Sequence, residues 1–259
     1  MTSALQISGL RRRFGDFSAV DGVSLDIPAG ARHALIGPNG AGKTTLINLL
    51  TGELRADAGE VSLGGVPITR LPAHARVKRG LARTFQVNTL FPGLTPMESV
   101  ALAICERRGE GGAWWRPLAA RRAALDEAGD LLRSLGLDAD AGRVTATLAY
   151  GKQRLLEIAL AMATRPRVLL LDEPAAGVPS GESEQVFETI ERLPAGVTVL
   201  FIEHDMSLVF RFAQRITVMV AGRVLVEGAP DEIAADARVR EIYLGEPHAG
   251  GTSGGAGHT

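Results

Sequence analysis

The stretch GPNGAGKTT, Gly37 to Thr45, constrains the rest of the chain more than any other. It matches G-x-x-x-x-G-K-[ST] in full. It follows ARHALI, which reads as a strand, and leads into TTLINLL, a helical pattern that stops at Gly52. So many glycines let the backbone curl until successive N–H groups point inward, making an anion nest at a helix start. Gly37, Pro38, Asn39, Gly40, Ala41 and Gly42 form that nest, and Thr45 follows in the first helical turn. Lys43 brings positive charge to β- and γ-phosphates, and Thr44 offers a hydroxyl to Mg²⁺. A glycine-rich turn that matched by chance would lack the flanking strand and helix. Ligands of open α/β sheets gather at strand ends, so the remaining segments have to supply such a sheet.

They do. The first sixty or so residues read as strands: LQISGLRRRF, VSLDIP and ARHALIG, with turns expected at Asp21-Gly22 and Pro28-Ala29-Gly30. EVSLGGVPIT predicts a hairpin around Gly64-Gly65. From about Leu94 to Gly142 the patterns are helical. In PLAARRAALDEAGDLLRSLGL the apolar residues Leu118, Leu125, Ala128, Leu132 and Leu135 recur at spacings of 7, 3, 4 and 3, which predicts one helix face. Pro117 suits the start of that helix and Gly136 its end. Beyond it strands and helices alternate: RVLLLDE, ESEQVFETIERL, GVTVLFIEH, a helix, ITVMV and RVLVEG. This alternation predicts a mostly parallel sheet covered by helices. The last stretch, EPHAGGTSGGAGHT, residues 246–259, has almost nothing to bury and is expected to be a disordered tail.

Composition removes several classes of function. The 259 residues are 46% apolar and 22% charged, ordinary for a soluble globular chain of one large α/β domain or two small ones. A net charge of −1, with dispersed arginines, gives no nucleic-acid footprint. The single cysteine, Cys105, forms no intrachain disulfide, fits a reducing compartment, and reads as a small buried apolar residue rather than a nucleophile. No apolar run approaches the roughly 18 residues of a membrane span. The start, MTSALQISGLRRRFG, lacks the apolar block of a signal peptide. The chain is therefore expected to be neither secreted nor membrane-spanning, with any membrane role exercised through a partner.

RVLLLDEP ends an apolar strand in two carboxylates about 130 residues after the phosphate loop. At such a strand end Asp172 can orient Mg²⁺, and Glu173 can polarise an attacking water as general base. GVTVLFIEHD repeats the arrangement and places His204 where it can contact a γ-phosphate and hold that water. Gln86, in RTFQ, reads equally as a surface residue or a ligand. GTP is disfavoured: Lys43, Lys78 and Lys152 are the only lysines, and none is followed two residues on by Asp, so no guanine-reading Asn-Lys-x-Asp exists.

Taken together, these residues resemble the nucleotide-binding subunit of an ABC transporter, over about Leu5 to Gly245. The resemblance implies a P-loop NTPase of α/β class. It has a RecA-like core, an antiparallel β-subdomain and an inserted α-helical subdomain at about 94–165, all in one domain spanning 1–245. GPNGAGKTT corresponds to the Walker A loop and LLLDE to Walker B. Gln86 corresponds to the Q-loop, which senses Mg²⁺ and touches the membrane subunit. His204 corresponds to the switch histidine, and Phe14 to the aromatic that stacks on adenine. LAYGKQR, with Ala149, Tyr150, Gly151, Lys152 and Gln153, stands where the signature LSGGQ is expected. The signature of one cassette closes over phosphates held by another, so the resemblance implies ATP and Mg²⁺ as cofactors and a head-to-tail dimer with an identical or related cassette. Three departures stand out. Ala149 replaces the signature serine, losing a charged hydrogen bond of about 1.5–3 kcal/mol, and Tyr150 replaces the glycine after it. Pro179, in AAGVPS, replaces the D-loop aspartate.

LAYG…QRLLEIA, DEPAAG and the ending EGAPDEI…VREIYLGE are similar to the ATPases of branched-chain amino-acid importers, whose relatives also move urea and short amides. This implies a peripheral protein at the cytoplasmic membrane face, docked on permease subunits, served indirectly by a solute-binding protein and not bound to nucleic acid. No C-terminal regulatory domain is expected. Two other classes compare poorly. A soluble ABC ATPase acting on nucleic acid or ribosomes usually carries two cassettes, coiled-coil arms or basic insertions. A small-molecule phosphotransferase would not need LAYGKQR. Trp114 and Trp115, in the loop before the predicted helix, read as local packing or as an apolar patch facing a permease.

Overall fold

The architecture comes from a computed structural model that describes residues 2–84, 90–112 and 117–244. Trp114, Trp115 and the tail at 246–259 lie outside the described residues. In chain order the elements are β1 (Ser3–Phe14), β2 (Phe17–Pro28), β3 (Arg32–Ile36), α1 (Lys43–Thr51), β4 (Ala58–Leu63), β5 (Val66–Pro67), α2 (Ala73–Lys78) and β6 (Leu81–Arg83). Next come α3 (Pro96–Arg107), α4 (Arg122–Ser134), α5 (Tyr150–Ala163), β7 (Val168–Asp172), α6 (Ser180–Glu191) and β8 (Thr198–Ile202). The last are α7 (Met206–Phe212), β9 (Arg215–Val220), β10 (Arg223–Gly228), α8 (Pro230–Ala235) and α9 (Ala237–Leu244).

The strands form two sheets. One is antiparallel, in the order β2-β1-β4-β5. The other runs β10-β9-β3-β8-β7-β6, parallel throughout except for β10. The predicted hairpin at Gly64-Gly65 is present: both glycines have positive φ, and Leu63 pairs with Val66. The turn expected at Asp21-Gly22 is not a turn. β1 and β2 reverse at Gly15-Asp16, between the paired Phe14 and Phe17. Leu10 pairs with Val23 and Arg11 with Asp21, so Gly22, at φ +72°, is the extra residue of a β-bulge inside β2.

Alternation on the buried strands separates two cores. Ala34, Leu169, Leu171, Val199 and Phe201 face the side covered by α3–α7. Leu35, Leu170, Leu200 and Ile202 face the other side, where Leu46, Ile47, Leu49 and Leu50 of α1 pack between the two sheets. β3, β7 and β8 are buried along their full length, which is why each reads as a continuous apolar run.

The helical region departs from expectation at one end. Pro117 precedes a short 3₁₀ turn over Leu118–Ala120, and α4 begins at Arg122. Leu118 is thus off the helix and Leu135 is its C-cap, while Ala124, Ala128 and Leu132 are its buried face. Gly136 follows at φ +70°, the left-handed stop expected of it. Glu127 on α4 receives Arg107, Arg108 and Arg165, which staple it to α3 and to the end of α5. The Arg107 hydrogen bond is foremost in holding its carboxyl down at about 2.

Arg76 is 3% exposed. Its guanidinium donates to the carbonyls of Leu49 and Leu50 at the end of α1, both at 2.6 Å, and to those of Thr69 at 2.7 Å and Leu71 at 2.9 Å. The first two contacts satisfy free carbonyls at the end of the helix behind the glycine-rich loop, and the other two tie it to the segment before α2. Arg76→Met keeps much of the volume and strands these acceptors. It is expected to cost about 3 kcal/mol, read as a lowered urea midpoint; an unchanged midpoint would show that water replaces the guanidinium without loss.

Candidate functional site at the carboxyl ends of the parallel strands

Strand register assembles the site. Leu35 of β3 and Asp172 of β7 both pair with Ile202 of β8, so the three strands end at one level. The loop 37–42 leaves β3 there, Glu173 follows β7, and Glu203 and His204 follow β8. Residues up to 167 positions apart in sequence thereby share one edge, where open α/β sheets hold their ligands.

The loop needs its glycines. Gly42 caps α1 at φ +96°, and a Cβ there would run into the carbonyl of Ala19. Gly37, at φ +153°, lies against the carbonyl of Met219. No side chain caps α1, so its first N–H groups and the positive end of its dipole face the cavity. That cavity, of about 250 Å³, is lined by Asn39 to Thr45, Phe17, Ala19, Glu173 and His204. The Lys43 amine donates to the carbonyls of Gly37 at 2.6 Å and Pro38 at 3.1 Å. Burial pulls its pKa below the usual lysine value, against the opposing pull of Glu173 and then Asp172.

Glu173 and His204 meet directly, Oε1 to Nε2 at 2.8 Å. Glu173 has φ +51°, a left-handed conformation uncommon for a residue with a side chain. The pair forms the wall between the loop cavity and a second cavity of about 210 Å³, floored by Ala175, Ala176 and Glu203. Asp172 is 2% exposed, and its Oδ2 accepts from Arg83 at 2.9 Å. Arg83 also reaches Asn48 at 2.7 Å and Glu53 at 3.0 Å. The oxygens of Thr44 and Asp172 are hard donors, too few alone to enclose an ion. Among the described residues no group of three or more His, Cys, Asp or Glu side chains could hold a metal. Mg²⁺ takes one or two protein oxygens and completes its shell with phosphate and water; Thr44 offers such an oxygen to the cavity, and Asp172 lies beyond its lining, bonded to Arg83.

Other expected residues fall elsewhere. Phe14 ends β1, 46% exposed, with the Arg12 guanidinium 4.8 Å from its ring centre, while Phe17 lines the cavity itself. Gln86 lies outside the described residues. LAYGKQR does start a helix: Ala149 is the N-cap of α5 and carries no side-chain cap. It lines a different cavity, of about 230 Å³, with Glu182 and Gln185 of α6. Gly151 is buried, and a Cβ there would come within 2.6 Å of a Glu182 carboxylate oxygen. Lys152 donates to the Gly136 carbonyl at 2.8 Å and Gln153 to that of Leu148 at 2.9 Å. The glycine loop and LAYGKQR thus start two helices in separate cavities.

Three contributors were not singled out from sequence. Arg83 holds Asp172. Glu203, 5% exposed, accepts from the backbone N–H groups of Ala175 at 2.9 Å and His204 at 3.0 Å. Burial pushes its carboxyl up, opposed by those N–H groups. Tyr243 on α9 faces the Gly37 backbone, and burial pushes its phenol up to about 12. The available signals were an acid beside His204 at a strand end and the ending EIYLGE; Arg83 gave none. No helix among the described residues is long and apolar enough to cross a membrane.

Comparison with known proteins follows the same lines. Residues 20–176 match the family described as ABC transporter, and residues 223–249 match branched-chain amino acid ATP-binding cassette transporter. The chain is 41% identical over 249 residues to the high-affinity branched-chain amino acid transport ATP-binding protein BraF of Pseudomonas aeruginosa, covering 93% of this chain and 98% of that one. With LivG of Escherichia coli, another protein of that description, identity is 40% over the same coverage. A nucleotide-free ATP-binding cassette from an ABC transporter superposes with a TM-score of 0.83 at 32% identity, covering 95% of this chain and 100% of that one.

Gly42→Ala adds one methyl at a backbone conformation that disfavours it. It is expected to lower the melting temperature by several degrees, as about 1–3 kcal/mol of strain does, and to weaken nucleotide binding. Parental values for both in a melting curve and a nucleotide titration would show the loop to be more pliable than its geometry implies.

Proposed function

The chain belongs to the ABC transporter family of ATP-binding cassettes, and from that membership we propose that it energises import of branched-chain amino acids by binding and hydrolysing ATP. It is an ATPase by family. The observation that carries the site assignment is the 2.8 Å contact between Glu173 and His204 at the mouth of the glycine-loop cavity. In this reading the N–H groups of the loop and α1, with Lys43, hold the phosphates. Phe14 or Phe17 stacks on the base. Glu173 accepts a proton from the attacking water, and His204 holds both in line. Bound Mg²⁺, held by Thr44 and Asp172, would neutralise developing phosphate charge.

The second half-site is supplied by another chain. LAYGKQR and the glycine loop line different cavities of one molecule, which supports closure of α5 of one cassette over phosphates on its partner. The partner is a second copy or a related cassette, and permease subunits hold the pair at the cytoplasmic face of the membrane, with a solute-binding protein delivering the amino acid. Residues 1–245 act as one domain, with about 94–165 as the helical subdomain, and Gln86 senses Mg²⁺ and touches the membrane subunit.

Glu173→Gln keeps the volume and removes the base. Turnover is expected to fall by about 100-fold or more, while ATP is retained and a dimer accumulates in size-exclusion chromatography. Parental turnover would remove Glu173 from its role. Gly151→Asp sets a carboxylate against Glu182 and against the incoming phosphate. It is expected to abolish turnover and leave nucleotide binding by the isolated chain unchanged. Loss of that binding would place LAYGKQR in its own chain's site.

A further inference from the structure

The segment from Pro174 to Pro179 joins Glu173 to α6, and three contacts grip it. The Ala175 N–H donates to Glu203 at 2.9 Å. The Ala176 carbonyl accepts from Arg154 Nη2 at 3.3 Å. At Gly177, φ +75°, the Tyr150 ring lies so close that a Cβ would come within 3.2 Å of its edge. The second and third grips come from the first turns of α5, inside LAYGKQR.

Tyr150 and Arg154 also hold each other. They are four residues apart, hence on the same helix face. Arg154 Nη2 donates to the Tyr150 hydroxyl at 2.8 Å, and the guanidinium carbon sits 5.0 Å from the ring centre. Arg154 is 4% exposed, and its other arm donates to Glu157, one turn further on, at 2.8 Å. Burial pushes the Glu157 carboxyl up, against the pull of this arginine. The guanidinium is thus fixed on the helix side and reaches out to the loop. A glycine at 150, the residue of the LSGGQ pattern, has neither ring nor hydroxyl and forms none of these contacts.

We propose that Tyr150 and Arg154 are positioning residues that tie the helix start at Ala149–Gly151 to the loop behind Glu173, so that a partner's nucleotide closing on that helix sets the general base in this chain's own site. The two surfaces this joins are those where Ala149 and Pro179 lack the polar side chains of the family pattern. The tie replaces contacts across the dimer with a contact inside one chain. Its strength lies in rigidity: the aromatic ring has two rotatable bonds, and the planar guanidinium bridges a hydroxyl, a carbonyl and a carboxylate at once. This inference rests on the assignment of Glu173 as base.

The test uses the full chain. Tyr150→Gly keeps the glycine pattern for closure and removes the tie. It is expected to lower kcat about tenfold with KM for ATP within about twofold. Combined with Glu173→Gln, it is expected still to trap the ATP-bound dimer. Tyr150→Phe keeps the ring on Gly177 and is expected to recover most of the rate. Arg154→Lys keeps a charge for Glu157 without bridging to the loop, and is expected to lower kcat as Tyr150→Gly does. Parental kcat in Tyr150→Gly would overturn the proposal, as would loss of dimer trapping in the double variant, because the tyrosine would then act in closure itself. Failure of the underlying assignment is distinguishable: Glu173→Gln alone would then turn over normally.

Discussion

Parallel pairing of β3, β8 and β7 is the constraint on which the rest depends. Because Leu35 and Asp172 share Ile202 as a partner, the three strands end together. Each end then releases a chemically active residue at the same edge. A register slip of one residue would turn Asp172 to the opposite face of the sheet. The two buried cores on either side of these strands are what make such a slip costly, since Leu169, Leu171, Leu170 and Val168 would all change face.

Arginine does much of the work of joining distant backbone. Arg32 donates to the carbonyls of Val197 at 2.6 Å and Leu193 at 2.8 Å, and Arg76 ties down the end of α1. Arg83 holds Asp172, and Arg154 reaches the loop behind Glu173. A guanidinium stays charged when buried and presents five donors in a plane, so one side chain can satisfy several carbonyls from different elements. Burial lowers the pKa of Arg32, against the pull of the Glu191 charge, and that of Arg76. The dispersed arginines, which leave no nucleic-acid footprint in the sequence, are in part an internal framework.

The elements around the site were legible wherever the local rule and the tertiary need coincide. The glycine loop, the apolar runs of β3, β7 and β8 and the helix start at Tyr150 each follow from backbone chemistry that neighbours do not alter. Reading failed where two local rules compete. Asp21-Gly22 has turn composition, yet the same freedom at Gly22 serves a bulge when strand pairing continues on both sides. Pro117 suits a helix start, but the chain makes a 3₁₀ turn first and begins α4 at Arg122.

The sequence by itself determined which groups are on offer: a glycine-rich loop with Lys43, carboxylates and an imidazole at strand ends, and a glycine-led helix start with no serine before it. Each of these is a statement about residues adjacent in the chain. Tertiary structure alone decided which of them meet. Glu173 and His204 touch because β7 and β8 pair, and Lys43 joins them because β3 lies beside β8. Gly151 faces Glu182 and Tyr150 faces Gly177 because α5 packs against the segment leading into α6. Spacing along a chain fixes helix faces and strand sides, but contact between side chains dozens of residues apart is set by how buried apolar faces pack.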